Sequence, residues 1–288
     1  MFQKTVSVNF RSVIFFFLVL IFSSAICDAQ QASKFRAIAF YTGKEDLAHI
    51  SFVKEANEWF AAKAKENHFS YDTTTNWNNM NDSLLAKYRV VIFLDTRPDS
   101  LPQRQAFEKY MKNGGAWMGF HFSAFALTPS AFPQNWNWYH NEFLGAGSYA
   151  SNTWHPTAAL LKVEKHSYPF TKNMADTFTA SPSEWYRWEN DLKKNTDIDI
   201  LLSVDERSFP LGTGPKPYEI WHSGYYPVAW VNKKYRMIYF NMGHNDMDYD
   251  GGTNATLSHT FGNKVQDKLI LQSLLWLASA GNKTFVHN

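Results

Sequence analysis

Apolar runs of strand length, interrupted only by Arg36 and led by Arg89, mark the first half of the chain: Phe35 to Tyr41 (FRAIAFY), Arg89 to Leu94 (RVVIFL) and Ala116 to Phe120 (AWMGF). Runs without polar alternation predict strands buried on both faces. Between them the period changes. Ile50, Val53, Ala56, Phe60 and Ala64 recur at helical spacing through a Lys/Glu-rich background, predicting an amphipathic helix that ends near Asn67. Phe69 to Thr73 supplies a second strand, and Asn81 or Asp82 caps a short helix carrying Leu84 and Leu85. Pro102 opens a helix through Lys112, and Gly114-Gly115 close it before the strand that ends at Phe120. Strands alternating with helices imply right-handed crossovers, hence an α/β fold with a parallel sheet flanked by helices.

Beyond Gly145 the rhythm shifts. Strands are predicted at Thr157 to Glu164, Ile198 to Val204, Tyr226 to Trp230 and Arg236 to Asn241, with long Trp-, Pro- and Gly-bearing loop insertions between them. Loops of that length are expected to fold over the sheet edge as a lid or site wall. Lys264 to Ser279 supplies a final helix. No internal repeat or low-complexity linker breaks the chain.

The N-terminus has another character. Lys4 and Arg11 precede an apolar run from Val13 to Phe22, then small residues and Cys27-Asp28-Ala29. This pattern predicts a signal peptide over residues 1–29 and an exported, periplasmic or secreted protein, with one domain over 34–282. The run is too short for a membrane span. Cys27 is the only cysteine; a lipoprotein anchor there is disfavoured because bulky Ile26 precedes it. Net charge is +2 without a basic block, which gives no electrostatic reason to expect nucleic acid or an anionic membrane as a partner. A homo-oligomer stays open. Aromatic content changes the picture more: eight of the 11 Trp fall between Trp117 and Trp230. So many indoles serve either an aromatic core or a cleft presenting flat apolar faces, and sugars stack on such faces.

Two histidines stand just past predicted strands, His121 after AWMGF and His244 after RMIYFNMG. Strand exits on one edge of a parallel sheet converge, and ligands bind there. His155, in Trp154-His155-Pro156, and Glu184, in Glu184-Trp185-Tyr186, lie in loops expected to cover that edge. Three imidazoles (His121, His155, His244) and a carboxylate are suited to a divalent transition metal, or to dividing acid and base roles. The alternative makes His121 and His244 hydrogen-bonded packing residues. Asp205-Glu206, Asp246 and Asp248 are weaker candidates for a glycosidase carboxylate pair. His49 and the remaining histidines have no context that favours function, with a small exception for His222, which Trp221 and Tyr225 flank.

GGAWMGFH, WNWYHNEFLGA, Trp154-His155-Pro156, Glu184-Trp185-Tyr186, the run Leu201 to Glu206, Pro227-Val228-Ala229-Trp230 and Met242-Gly243-His244 occur in an order that resembles ThuA-like proteins, named for trehalose utilisation. The resemblance implies a class I glutamine amidotransferase-like, flavodoxin-like fold. In the amidotransferases a nucleophilic cysteine follows the equivalent strand; here His121 occupies that position, so glutaminase chemistry is not implied. His121, His155, Glu184 and His244 match the family's recurring polar positions, and Trp138, Tyr139 and Trp230 its aromatic ones. The family's link to sugar catabolism implies a carbohydrate partner, a glycoside or keto-sugar. The expected protein is therefore an exported enzyme in which Glu184 acts as base, His121 and His244 ligate metal or relay protons, and Trp138 and Trp185 hold the sugar. The alternative is a non-catalytic carbohydrate-binding protein of the cell envelope.

Overall fold

The computed structural model describes residues 33–44, 46–126, 136–153, 156–208, 226–244 and 260–279. The expected signal peptide and Cys27 lie outside them. In chain order the elements are β1 (Arg36–Phe40), α1 (Leu47–Asn67), β2 (Ser70–Thr74), α2 (Asp82–Leu85), β3 (Val90–Phe93), α3 (Leu101–Lys112), β4 (Ala116–Phe120), β5 (Tyr149–Asn152), β6 (Leu160–Val163), β7 (Thr177–Thr179), β8 (Tyr186–Trp188), β9 (Ile198–Val204), β10 (Tyr226–Asn232), β11 (Arg236–Phe240) and α4 (Lys264–Ala278). No boundary divides the described residues beyond Ser33. Among them no helix is long and apolar enough to cross a membrane.

Nine strands form one sheet in the order β2-β1-β3-β4-β11-β10-β9-β6-β7, and β5 pairs with β8 in a separate small sheet. From β2 to β11 every pairing is parallel. From β11 to β7 every pairing is antiparallel. The expected α/β sheet is thus mixed, with a parallel half that carries the helices. The reason lies in the connections: β10 and β11 are joined by only Lys233, Lys234 and Tyr235, too short for the crossover that parallel strands require.

The apolar runs are explained by two cores, one on each face. Ala37 and Ala39 of β1, Val90 and Ile92 of β3, and Met118 and Phe120 of β4 point into one core, under Phe52, Ala56 and Phe60 of α1 and Leu269, Ile270 and Leu274 of α4. Their alternates, Ile38, Phe40, Val91, Phe93 and Trp117, point into the other with Leu85 of α2 and Phe107 and Met111 of α3. A side-chain period of two with helices on both faces requires an apolar residue at every position. α1 begins where Asp46 accepts a hydrogen bond from Ala48 N at 2.8 Å. It ends at His68, which takes the left-handed conformation (φ 59). That turn sends Phe69 into the core and starts β2 one residue later than the apolar pattern suggests.

Candidate functional site

The C-terminal ends of β1, β4 and β11 share one edge of the parallel half, and each delivers a histidine to it. His121 is the first residue after β4, His244 follows β11 by four residues, and His49 lies in the first turn of α1 beyond the β1 exit. The three rings are mutual neighbours: centroids lie 5.3 Å apart for His49–His121, 5.0 Å for His49–His244 and 5.3 Å for His121–His244. The convergence of His121 and His244 expected from topology is present. His49, which sequence position did not single out, completes the group.

The backbone at this edge is under constraint. His121 has φ 39, a conformation that costs a non-glycine residue on the order of 1–3 kcal/mol unless its surroundings hold it. Tyr239 Oη holds it by donating to the His121 carbonyl at 2.9 Å. Gly243 (φ 137) supplies the clearance next door, because a Cβ there would lie 2.9 Å from His121 Cβ.

Glu184 arrives from the segment before β8. Its Oε2 lies 3.5 Å from His121 Nε2 and 3.3 Å from His244 Nδ1, while Asn152 Nδ2 of β5 donates to its Oε1. Asn241, at the end of β11, ties this segment to the histidine edge. Its side-chain Oδ1 accepts from Tyr186 N at 2.6 Å, and its Nδ2 donates to the Glu184 carbonyl at 3.2 Å. Its own carbonyl lies 2.8 Å from His121 Nδ1. A carbonyl can only accept and an amide NH2 can only donate, and Asn241 presents both to this nitrogen, its carbonyl at 2.8 Å and its Nδ2 at 3.0 Å, so Asn241 engages His121 Nδ1 in either tautomer and Nε2 faces Glu184.

Burial and the neighbouring charges agree on protonation. Burial pushes both His49 and His121 below the usual imidazole range, and for His49 the nearby His121 and His244 add to the effect. Burial works to raise the Glu184 carboxyl, but the hydrogen-bonding nitrogens of His121 and His244 outweigh it and hold the group well below the ordinary carboxylate range. The centre at neutral pH therefore sets the Glu184 anion beside neutral His49 and His121.

The aromatic residues are placed differently from the expectation. Trp138, Tyr139, Trp185 and Trp230 are buried among core side chains and do not form an outward wall. Each polar tip is anchored inside. Trp230 Nε1 donates to the Leu144 carbonyl at 2.9 Å, Trp185 Nε1 to the Thr157 carbonyl at 2.8 Å, Tyr139 Oη to the Ser123 carbonyl at 3.0 Å and Trp138 Nε1 to Tyr235 Oη at 3.2 Å. A ring without an exposed face has nothing to offer a sugar, so the correction is physical: these indoles build the core. Trp185 still matters to the edge, because it roots the residue after Glu184. Half-buried rings do border the histidines: Phe122 packs on His49 (5.0 Å) and stacks on Phe125 (4.6 Å), which meets Tyr149 (4.7 Å). Of the weaker candidates, Asp205 is engaged by Arg207 at 2.7 and 2.9 Å. His155, Asp246 and Asp248 lie outside the described residues.

Residues 37–260 match the protein family described as ThuA, trehalose utilisation. Among solved structures, the chain is similar to a ThuA-like protein from Bacteroides uniformis, at 34% identity and a TM-score of 0.71 over 86% of this chain and 92% of that one. A ThuA-like protein from Parabacteroides merdae, at 15% identity and a TM-score of 0.58 over 85% and 90%, shares the fold. No curated protein matches the chain.

Proposed function

The chain belongs to the ThuA, or trehalose-utilisation, family, and from that membership we propose that it is an exported enzyme of carbohydrate catabolism acting on a glycoside or keto-sugar. The observation that carries this reading is the meeting of the Glu184 carboxylate with His121 and His244, at 3.5 and 3.3 Å, on the ligand-binding edge of an α/β sheet. The reaction class is proton transfer beside a carbonyl. Glu184 takes the proton from the carbon next to the ketone, the C–H electron pair moves in to form the enolate, and the charge develops on the carbonyl oxygen, where the imidazoles stabilise it. A carboxylate held so low is a weak base. It needs a proton that is already acidic, which the keto group of an oxidised sugar supplies. Phe122, Phe125 and Tyr149 take the stacking role that Trp138 and Trp185 were expected to play. Amidotransferase chemistry has no nucleophile here, since position 121 is histidine.

Product detection on a panel of keto-disaccharides and their parent glycosides tests the proposal. Turnover is expected with the wild-type chain, and a fall of about 10²-fold or more with His121→Ala and with Glu184→Gln. Absence of turnover on every member, together with a sugar-dependent rise in melting temperature that survives both substitutions, would establish the non-catalytic carbohydrate-binding alternative instead.

A further inference from the structure

We propose that His49, His121 and His244 form a site for one divalent transition-metal ion, with Glu184 beside it. The proposal deepens the reading above, because it names an electrophile for the carbonyl oxygen on which the enolate charge develops. Each of the three histidines offers a ring nitrogen, and these atoms lie within 4.8 Å of one another. Nitrogens sharing a tetrahedral ion at about 2.0–2.1 Å stand roughly 3.3 Å apart, so small rotations of the side chains bring all three into ligation.

Three further features distinguish the group from histidines that merely pack. First, Nε2 of His49 is buried and makes no hydrogen bond to any described residue, and Nε2 of His121 is buried with only the 3.5 Å approach of Glu184. A buried polar atom left in that state is costly, and ligation satisfies it. Second, the Asn241 carbonyl lies 2.8 Å from Nδ1, so the ring can donate there while Nε2 faces the centre. A ligating histidine usually shows this outer contact, donating its other ring N–H to a carbonyl or carboxylate. Third, Glu184 Oε2 stands 3.5 Å from His121 Nε2 and 3.3 Å from His244 Nδ1, so an anionic oxygen faces the same nitrogens and would balance part of the charge of a cation held there. One negative charge against a divalent ion leaves a net positive centre suited to polarising a carbonyl.

Three imidazoles and a carboxylate favour ions of the zinc, cobalt, nickel and iron group over magnesium or calcium, which prefer all-oxygen shells. The site also gives His49 a purpose. Asp46 caps α1 so that the third residue of the helix points at the β4 and β11 exits, and Phe52, three residues on, packs against Phe120.

The test is isothermal titration of the chelator-stripped full chain with Zn²⁺, backed by the visible spectrum after titration with Co²⁺. One equivalent of Zn²⁺ is expected to bind, with the intense visible bands of low-coordinate Co²⁺ bearing nitrogen ligands. His49→Ala, His121→Ala and His244→Ala are each expected to weaken Zn²⁺ binding at least about 10–100-fold. His166→Ala, whose ring pairs with Asp176 on an exposed surface, leaves it unchanged. The cobalt spectrum needs no variant, so a substitution that fails to fold does not remove the test. Absence of stoichiometric binding by the wild-type chain, or undiminished binding after His49→Ala and His121→Ala together, would overturn the metal site. The two proposals separate cleanly: sugar turnover that persists after chelation sinks the metal and spares the enzyme, whereas Zn²⁺ binding without turnover does the reverse.

Discussion

Gly243 contributes to the histidine centre by having no side chain. At φ 137 an alanine is strained, and its Cβ would stand 2.9 Å from His121 Cβ and 3.2 Å from the Phe52 ring. Gly243→Ala is therefore expected to cost about 1–3 kcal/mol of stability, read from the shift of the urea midpoint, and to lower turnover more than that loss explains, because His121 and His244 are displaced together. His140 tests the electrostatics away from this edge. Burial pushes its imidazole down to about 3, with the Arg97 guanidinium adding to the effect, against 6.5 when unfolded. The native state therefore binds fewer protons than the unfolded one between those values. Its contribution to stability is complete above about pH 6.5 and is lost as pH falls toward 3, at up to about 1.4 kcal/mol per pH unit. Urea unfolding of His140→Gln between pH 4 and 7 should show a pH slope reduced by about one proton. At this scale the sequence was partly legible. His121, His244 and Glu184 stood out because each follows a strand or sits in a long loop. His49 did not, because the first turn of an ordinary amphipathic helix looks the same whether its histidine faces a site or solvent; the end of β1 nine residues earlier was the available clue.

β4 shows how a strand makes room for a large ring. Trp117 and Gly119 share a face, and the Trp117 indole lies across the glycine, so an added Cβ would meet Trp117 Cζ2 at 2.0 Å and Cη2 at 2.1 Å. Gly119→Ala is expected to cost 1–3 kcal/mol or more through overpacking, seen as a lower urea midpoint with an unchanged slope. The strands and helices themselves were readable from periodicity: α1, α3 and α4 begin and end within a few residues of the apolar pattern. Pairing direction was not, because β10 and β11 read as strands regardless of which way the neighbour runs; only the three-residue link between them carries that information. The Trp-rich stretch was misleading for a related reason. Trp138 to Phe143 forms a π-helix whose rings pack on Phe107, and an indole with its N–H satisfied inside the protein has the same sequence signature as one waiting for a sugar.

At the scale of the whole molecule, export is part of the proposal, motivated by Lys4, Arg11 and the apolar run before Ala29. Expression of the full chain in a bacterial host should yield protein outside the cytoplasm with an intact mass that starts near Gln30. Uncleaved protein in the cytoplasmic fraction would count against export and leave the sugar chemistry intact. The strand order has another consequence. β11 lies between β4 and β10, so the parallel half cannot gain its last member until more than a hundred further residues have left the ribosome. Until then β4 is a bare apolar rim with open amides, the kind of surface on which nascent chains stick to one another. A chain built this way depends on being shielded during synthesis, and stalled translation before residue 236 should deposit aggregates rather than release a stable N-terminal fragment.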